Sequence, residues 1–407
     1  TTNLQTAMSQ AVTIAHGASS ATWTGGSSDW LSPFRVICTG PLMSSWQYRK
    51  QIGSDAHLVA WLEVRYYQSG AVEVMPWIEN GYLQVASPQV KTGRATFAMG
   101  GTTRYDSISD ANTGAGNGYP LDPVIDGSGN LSIQHHSRHV LVRAGAFSHW
   151  LGADPGITVT HDLAYLRDTN LVPAYHAATI DEAALSALTT TYNPGRIAYT
   201  TKSMGTTGYA QDIGLLPNTV ALYMVSGDPR AYKAVIAGGL SLGNYSIHYR
   251  DESTNRPLLF ASYPSKGLQS SDGLPVPDAL YANEYSSSHH PASAYLPYLL
   301  TGWQWFIDEM QFQVTDHYLA RTPSYRKFDS YYFYPSASGP AHSEQGGVRA
   351  IGWQWRACAM AAAFTPDADS ALKAQFVAAL GLNASNFRTQ LTTGDRKSTR
   401  LNSSHDQ

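Results

Sequence analysis

The sequence predicts an α+β chain of more than one domain. An N-terminal antiparallel β-sandwich domain is followed by an incomplete (α/α) toroid of helical hairpins. Three observations carry this expectation. Apolar residues alternate with period two in short segments from Leu31 to about Thr169. From about Gly208 the period changes to that of a helix. That second part then repeats one unit three times: polar cluster, helix, tight turn, helix. The expected layout is a β domain over 1–168, a connection over 169–207 and a helical domain over 208–394.

Residues 1–30 are rich in Ser, Thr, Gly and Ala, and they read as an incomplete β-segment or a loop. Along His57–Tyr67, Leu58, Ala60, Leu62, Val64 and Tyr66 share one face; Trp61, Glu63, Arg65 and Tyr67 share the other. Gln68-Ser69-Gly70 makes a turn, and Val72, Val74 and Ile78 alternate in the next strand, which is a hairpin signal. Asn80-Gly81 marks another turn. Arg94–Met99, His139–Ala146 and Ile157–Leu166 read as further strands, and Ser109–Asn130 as a long loop. In the connection, Asp181–Leu188 reads as a short helix with Asp181 near its start.

The three helical units begin at Pro217, Pro291 and Val348. Their turns are Ser226-Gly227-Asp228-Pro229, Thr301-Gly302 and Thr365-Pro366-Asp367. Asp228 and Thr365 are capping residues followed by proline, the pattern of a helix start. Pro291 suits a first helical position and Gly302 a left-handed exit. Pro297 is expected to kink its helix, and Gly381 to end the last one. Trp303, Phe306, Ile307, Met310 and Val314 fall on one helical face. Units about 70 residues apart leave room for long loops, which favours a toroid over a plain solenoid. Three hairpins are fewer than a closed ring needs.

Charged residues make up 14% of the 407, and the net charge is −3, so no electrostatic footprint for nucleic acid exists. No apolar run reaches the length of a membrane span. The two cysteines, Cys38 and Cys358, support neither a disulfide framework nor a zinc site. With 25 tyrosines and 10 tryptophans on a chain of low charge, the composition suits sugar binding, because aromatic faces stack on pyranose rings. No cofactor is expected. The location is left open among secreted, periplasmic and cell-surface.

In a repeat, equivalent positions share a rim. The polar clusters before the first helices are therefore expected to converge. They supply Tyr209, Gln211 and Asp212, then Glu284, Tyr285, His289 and His290, then His342, Glu344, Gln345 and Arg349. Trp353 lies one turn from Arg349. Two chemistries fit these residues. β-Elimination from a uronic acid takes Arg349 as the cation, His289 or His290 as the base and Tyr285 or Tyr209 as the acid. Glycoside hydrolysis takes two carboxyl groups, with Asp212, Glu284 and Glu344 as candidates. Gln211, Asp212, Glu284, Glu344 and Trp353 are also the expected substrate contacts. Each residue has a plainer role as well: the histidines and Asp212 as caps, Arg349 as the partner of Glu344 or Glu309, and Tyr285, Tyr209 and Trp353 as packing. Gln134-His135-His136-Ser137-Arg138-His139 has the composition of a metal cluster. Adjacent histidines in a strand face opposite ways, however, so a strand edge facing the helices is the other reading. The expected metal set is empty.

Several short motifs carry a resemblance. Trp61-Leu62-Glu63-Val64-Arg65 and Val72–Gly81 lie in the β region; His289-His290-Pro291 with Tyr295, Leu300-Thr301-Gly302, and Gly347-Val348-Arg349-Ala350 with Trp353 lie in the helical region. Together they resemble large bacterial carbohydrate-active proteins that join a β-sandwich to an (α/α) toroid. Exo-acting rhamnogalacturonan lyase-like proteins and toroidal polysaccharide lyases are the named examples. The resemblance implies a lyase acting on a uronic-acid-containing glycan, with an Asn–His–Tyr–Arg set falling on Asn283, His289 or His290, Tyr285 and Arg349. A hydrolase and a non-catalytic glycan-binding surface or tail protein are the alternatives on the same scaffold. Residues 395–407 back-translate to a common sequencing-library adapter, and they are expected to be a non-native tail on an interrupted gene.

Overall fold

The computed structural model describes residues 1–86, 89–111, 125–156, 160–176, 179–195, 214–268, 291–320, 323 and 347–393. A short helix, α1 (Thr2–Ala7), precedes eleven strands: β1 (Val12–His16), β2 (Ser19–Trp23), β3 (Arg35–Thr39), β4 (Met43–Gln51), β5 (Val59–Tyr67), β6 (Val72–Asn80), β7 (Lys91–Met99), β8 (Thr102–Asp106), β9 (Asn130–Ile133), β10 (Ser137–Val140) and β11 (His149–Trp150). They form two antiparallel sheets. The outer sheet runs β2-β1-β7-β8, with β9 also on β7; the inner sheet runs β10-β6-β5-β4-β3, with β11 also on β6. The helices follow: α2 (Leu163–Asp168), α3 (Glu182–Ser186), α4 (Asn218–Ser226), α5 (Pro229–Ser241), α6 (Tyr295–Thr301), α7 (Gln304–Leu319), α8 (Gly347–Phe364) and α9 (Ser370–Thr393). From α4 to α9 each helix packs on the next. No helix among the described residues is long and apolar enough to cross a membrane.

The alternation in β5 decides the layering. Leu58, Ala60, Leu62 and Val64 meet Val12, Ile14, Trp23 and Phe97 of the outer sheet in one core. The opposite face is buried too, because helices cover it. Trp61 stacks on Trp77 of β6 at 5.8 Å, and Trp77 meets Trp305 of α7 edge-on at 5.3 Å. Both belong to a second core that includes Val235, Leu240, Leu296, Phe306 and Met310. The inner sheet is therefore the middle layer.

Helix α7 is buried along all of its 16 residues, including Asp308, Glu309, Asp316 and His317. The sequence shows only one apolar stripe there. Several of the polar positions are paired with other layers. Arg138 of β10 donates to Glu309 at 2.7 Å and to the Trp305 carbonyl at 2.9 Å, with its guanidinium 3.6 Å from the Trp305 ring. Arg35 of β3 lies 3.3 Å from Asp308, and His248 lies 2.9 Å from Glu309. Burial alone would raise both carboxyls; Arg35 and Arg138 hold Asp308, and Arg138 holds Glu309, below the usual range.

Several expectations are corrected. Residues 1–30 hold α1 and the β1–β2 hairpin, with Val12, Ile14 and His16 inward; the small, polar residues between them hide the period. The predicted strand over 157–166 is not formed where it is described: the Asp162 side chain accepts from the Tyr165 N–H at 2.9 Å and caps α2. The strand expected over His139–Ala146 is the shorter β10. α6 begins at Tyr295, not Pro291, so Pro297 falls in its first turn, where the missing N–H has no helical partner and no kink is required. Pro366, not Thr365, is the cap position of a short turn before α9, and α9 continues through Gly381 to Thr393. His135 and His136 do not face opposite ways. His136 takes φ 63°, which brings the two rings to 3.7 Å in a turn before β10. No group of residues suited to a metal ion is found among the described residues. The backbone there does face the helical layer, since the His136 carbonyl accepts from the His248 N–H at 2.9 Å.

Two predictions follow from this interface. Arg138→Ala leaves Glu309 buried without its main cation, and urea unfolding is expected to show a loss of about 3–5 kcal/mol. The second concerns acid. Burial pulls His136 well below the usual imidazole range and pushes His139 down to about 3. Both are neutral in the fold, so the stability they contribute is lost as pH falls below about 6.5 towards 3. Glu63 acts in the opposite sense. Burial pushes it up to about 7, so its contribution is lost as pH rises through that value. Glu63→Gln is therefore expected to steepen the rise of stability between about pH 4.5 and 6.5, measured by denaturant titration across that range.

Candidate functional site

The turn between α6 and α7 docks on β5 through two residues that point the same way. Trp303 occupies the cap position of α7 and offers no side-chain acceptor. Glu63 supplies the cap from the neighbouring layer, accepting from the N–H groups of Gln304 at 2.9 Å and Trp305 at 3.2 Å. Two residues along, Arg65 donates to the Thr301 carbonyl at 2.8 Å and stacks 3.6 Å from the Trp303 ring. One strand thus places a carboxyl group at a helix start and a guanidinium at a helix end. Gly302, at φ 65°, ends α6 in the left-handed region and leaves its last carbonyls open to outside donors.

A second donor uses that helix end. His161, just before α2, lies with Nε2 3.2 Å from the Leu300 carbonyl and Nδ1 2.6 Å from the Tyr223 hydroxyl of α4. A carbonyl only accepts, so Nε2 carries the proton. In the neutral ring Nδ1 then accepts, and Tyr223 donates. Burial pushes the Tyr223 phenol up to about 12, so it is protonated near neutral pH.

These groups line one cleft of about 740 Å³ between the inner sheet and the helices. Arg65, Tyr67, Glu73, Trp150 and Ser148 form the sheet side; His161, Tyr223, Tyr232, Lys233 and Trp303 form the helical side. Glu73 of β6 accepts from the hydroxyls of Tyr67 and Ser148, each at 2.6 Å. Tyr67 stacks on Trp150 at 5.5 Å. Lys233 is exposed and has no ion-pair partner among the described residues. The volume, the aromatic walls and a few convergent polar groups fit a small-molecule or oligosaccharide cleft.

The rim expected from the repeat falls almost entirely outside the described residues. Tyr209, Gln211, Asp212, Glu284, Tyr285, His289, His290, His342, Glu344 and Gln345 lie outside the described residues, as does Asn283. Because α6 starts at Tyr295, Pro291–Ala294 separate His290 from that helix. Arg349 lies in the first turn of α8. Trp353, one turn further, is half-buried and lies 4.5 Å from the Arg356 guanidinium. The cleft residues are not evident in the sequence, because Arg65 and Glu73 read as the polar face of a hairpin and His161 as part of a strand. One signal was present. Glu63 and Arg65 interrupt the most apolar strand on the face that also carries Trp61, and charges beside tryptophan on one face mark a surface that meets something.

No family model, curated protein or solved structure matches the chain. The geometry of the cleft makes its own prediction. Nitrogen-15 NMR of His161 near neutral pH is expected to report the Nε2–H tautomer, and Leu300 is the reason; an Nδ1–H ring would contradict the direction of the Tyr223 bond.

Proposed function

We propose that the chain is a carbohydrate-active enzyme that binds a uronic-acid-containing glycan in this cleft and cleaves it by β-elimination, its helices forming part of an (α/α) toroid. The observation that carries the reading is that His161 and Arg65 of this cleft are both oriented by carbonyls at the end of α6, and that His161 in turn bonds the Tyr223 hydroxyl. Elimination next to a carboxylate needs a cation on that carboxylate, which Arg65 and Lys233 provide from the cleft walls. It also needs a base for the C5 proton. The Tyr223 oxygen takes that proton while its own passes to His161 Nδ1. The electron pair of the C–H bond becomes the C4=C5 double bond as the C4–O bond breaks. The leaving oxygen takes its proton from Tyr223, and Nδ1 returns the one it held. An imidazole is a base of suitable strength for this near neutral pH.

Aromatic side chains favour a sugar chain over a small free acid. Trp150, Tyr67, Tyr232 and Trp303 present ring faces or edges to one cleft. Elimination is preferred to hydrolysis because Glu73, the buried carboxylate of the cleft, already accepts two hydroxyls, and its companion Asp154 is exposed.

The test is absorbance of the new conjugated double bond on a panel of uronic polysaccharides. Tyr223→Phe and His161→Ala are expected to lower turnover by about 10²–10⁴ with little change in KM. Arg65→Met is expected to lower turnover and raise KM together, because the cation both binds the carboxylate and stabilises the charge that develops on it. Bound polysaccharide that is never cleaved would support the glycan-binding alternative, and reducing ends without the absorbance would support a hydrolase.

A further inference from the structure

We infer that the sheet side of the cleft is an ammonium subsite centred on Glu73, so that the ligand carries a free amino group as well as a carboxylate. Glu73 is 9% exposed, yet it lines the cleft. A carboxylate this buried is normally matched by a cation. Among the described residues Glu73 has no ion-pair partner. Its cross-strand neighbour is Arg65, directly opposite in the β5–β6 register. That guanidinium is drawn away to the Thr301 carbonyl and the Trp303 ring, and it approaches the Tyr67 oxygen rather than the carboxylate.

The hydroxyls next to Glu73 strengthen the case. Tyr67 and Ser148 both spend their single proton on Glu73. Two hydrogen bonds of this kind hold the carboxylate in place at the cleft wall. They also leave the hydroxyl oxygens only as acceptors. A ligand placed beside Glu73 therefore meets its carboxylate and two hydroxyl oxygens that can only accept. Rings surround the same spot. Trp150 stacks on Tyr67, and Phe147 meets Tyr232 edge-on at 6.1 Å. Tyr232 is close enough to Glu73 to feel its charge. A buried carboxylate, hydroxyl oxygens and several aromatic faces together form the environment that holds an organic cation. With Arg65 and Lys233 towards the helices, the cleft has two poles. The chemical class it fits is a glycan in which a de-N-acetylated amino sugar adjoins a uronic acid.

This inference rests on the cleft being a glycan site but not on the elimination chemistry. The test is calorimetry at about pH 6, where such amines are protonated, with a glucosamine tetramer carrying free amines and the same tetramer fully N-acetylated. The wild-type chain is expected to bind the free-amine tetramer at least about tenfold more tightly. Glu73→Gln, which keeps the shape, is expected to abolish the difference. Ser148→Ala and Trp150→Leu are each expected to reduce it, and they carry the test if the Glu73 variant does not fold. Equal affinity of the wild-type chain for the two tetramers, or a preference that survives in the variants, overturns the inference. A preference for the amine without any double-bond absorbance on uronic polymers would leave this subsite standing and remove the lyase reading. Elimination with equal tetramer affinities would do the reverse.

Discussion

A helix with charges on several sides cannot be buried unless each charge meets a partner. That constraint organises this molecule. α7 lies between the inner sheet and the other helices, and every one of its residues is buried. Asp308 and Glu309 are matched by Arg35, Arg138 and His248, and the N–H groups of Gln304 and Trp305 in its first turn are matched by Glu63. Burying ions is expensive, and well-packed apolar residues would often be as stable. What the ion pairs add here is direction. Glu309 can be satisfied by Arg138 only when the helix sits at one height and one rotation on the sheet, and Glu63 fixes the end of the same helix independently.

The cleft is a consequence of that docking. With α7 held by its first turn, the turn before it must lie against β5, and the end of α6 then faces Arg65 on that central strand. Leu300 and Thr301 offer carbonyls there because Gly302 ends the helix in the left-handed region. One carbonyl orients His161 and the other orients Arg65. Groups from β5, from the segment before α2 and from α4 are thus fixed against a single helix end. Rigid placement of this kind is what a binding or catalytic site requires. The stability of the interlayer contact and the geometry of the cleft share one cause.

Much of the fold is legible in the residues. Period two along Leu58–Tyr67 and Val72–Ile78 identifies the hairpin, because a half-turn per residue sends alternate side chains to two different cores. The helical hairpins are legible from Gly227-Asp228-Pro229 and Gly302, where backbone geometry demands those residue types. The strand expected over 157–166 fails because alternation over a few residues competes with a capping aspartate, and the cap at Asp162 prevails. The burial of α7 is not legible, since Asp308 and Glu309 read as a solvated face until Arg138 and Arg35, far away in sequence, are brought to them. The cleft is hidden for the same reason. Arg65, Glu73, His161 and Tyr223 have unremarkable neighbours in sequence and meet only through the stacking of layers. The repeat directs attention to the helical rim instead, because equivalent positions in repeats are visible from sequence and contacts between layers are not.

A crystal structure of the chain with an oligouronide bound tests most directly whether the interlayer cleft receives the proposed glycan. Ligand density is expected between Tyr67, Trp150 and Trp303, with a carboxylate against Arg65 and a sugar carbon facing the Tyr223 oxygen. Density located away from these residues, with the cleft empty, would contradict the proposal.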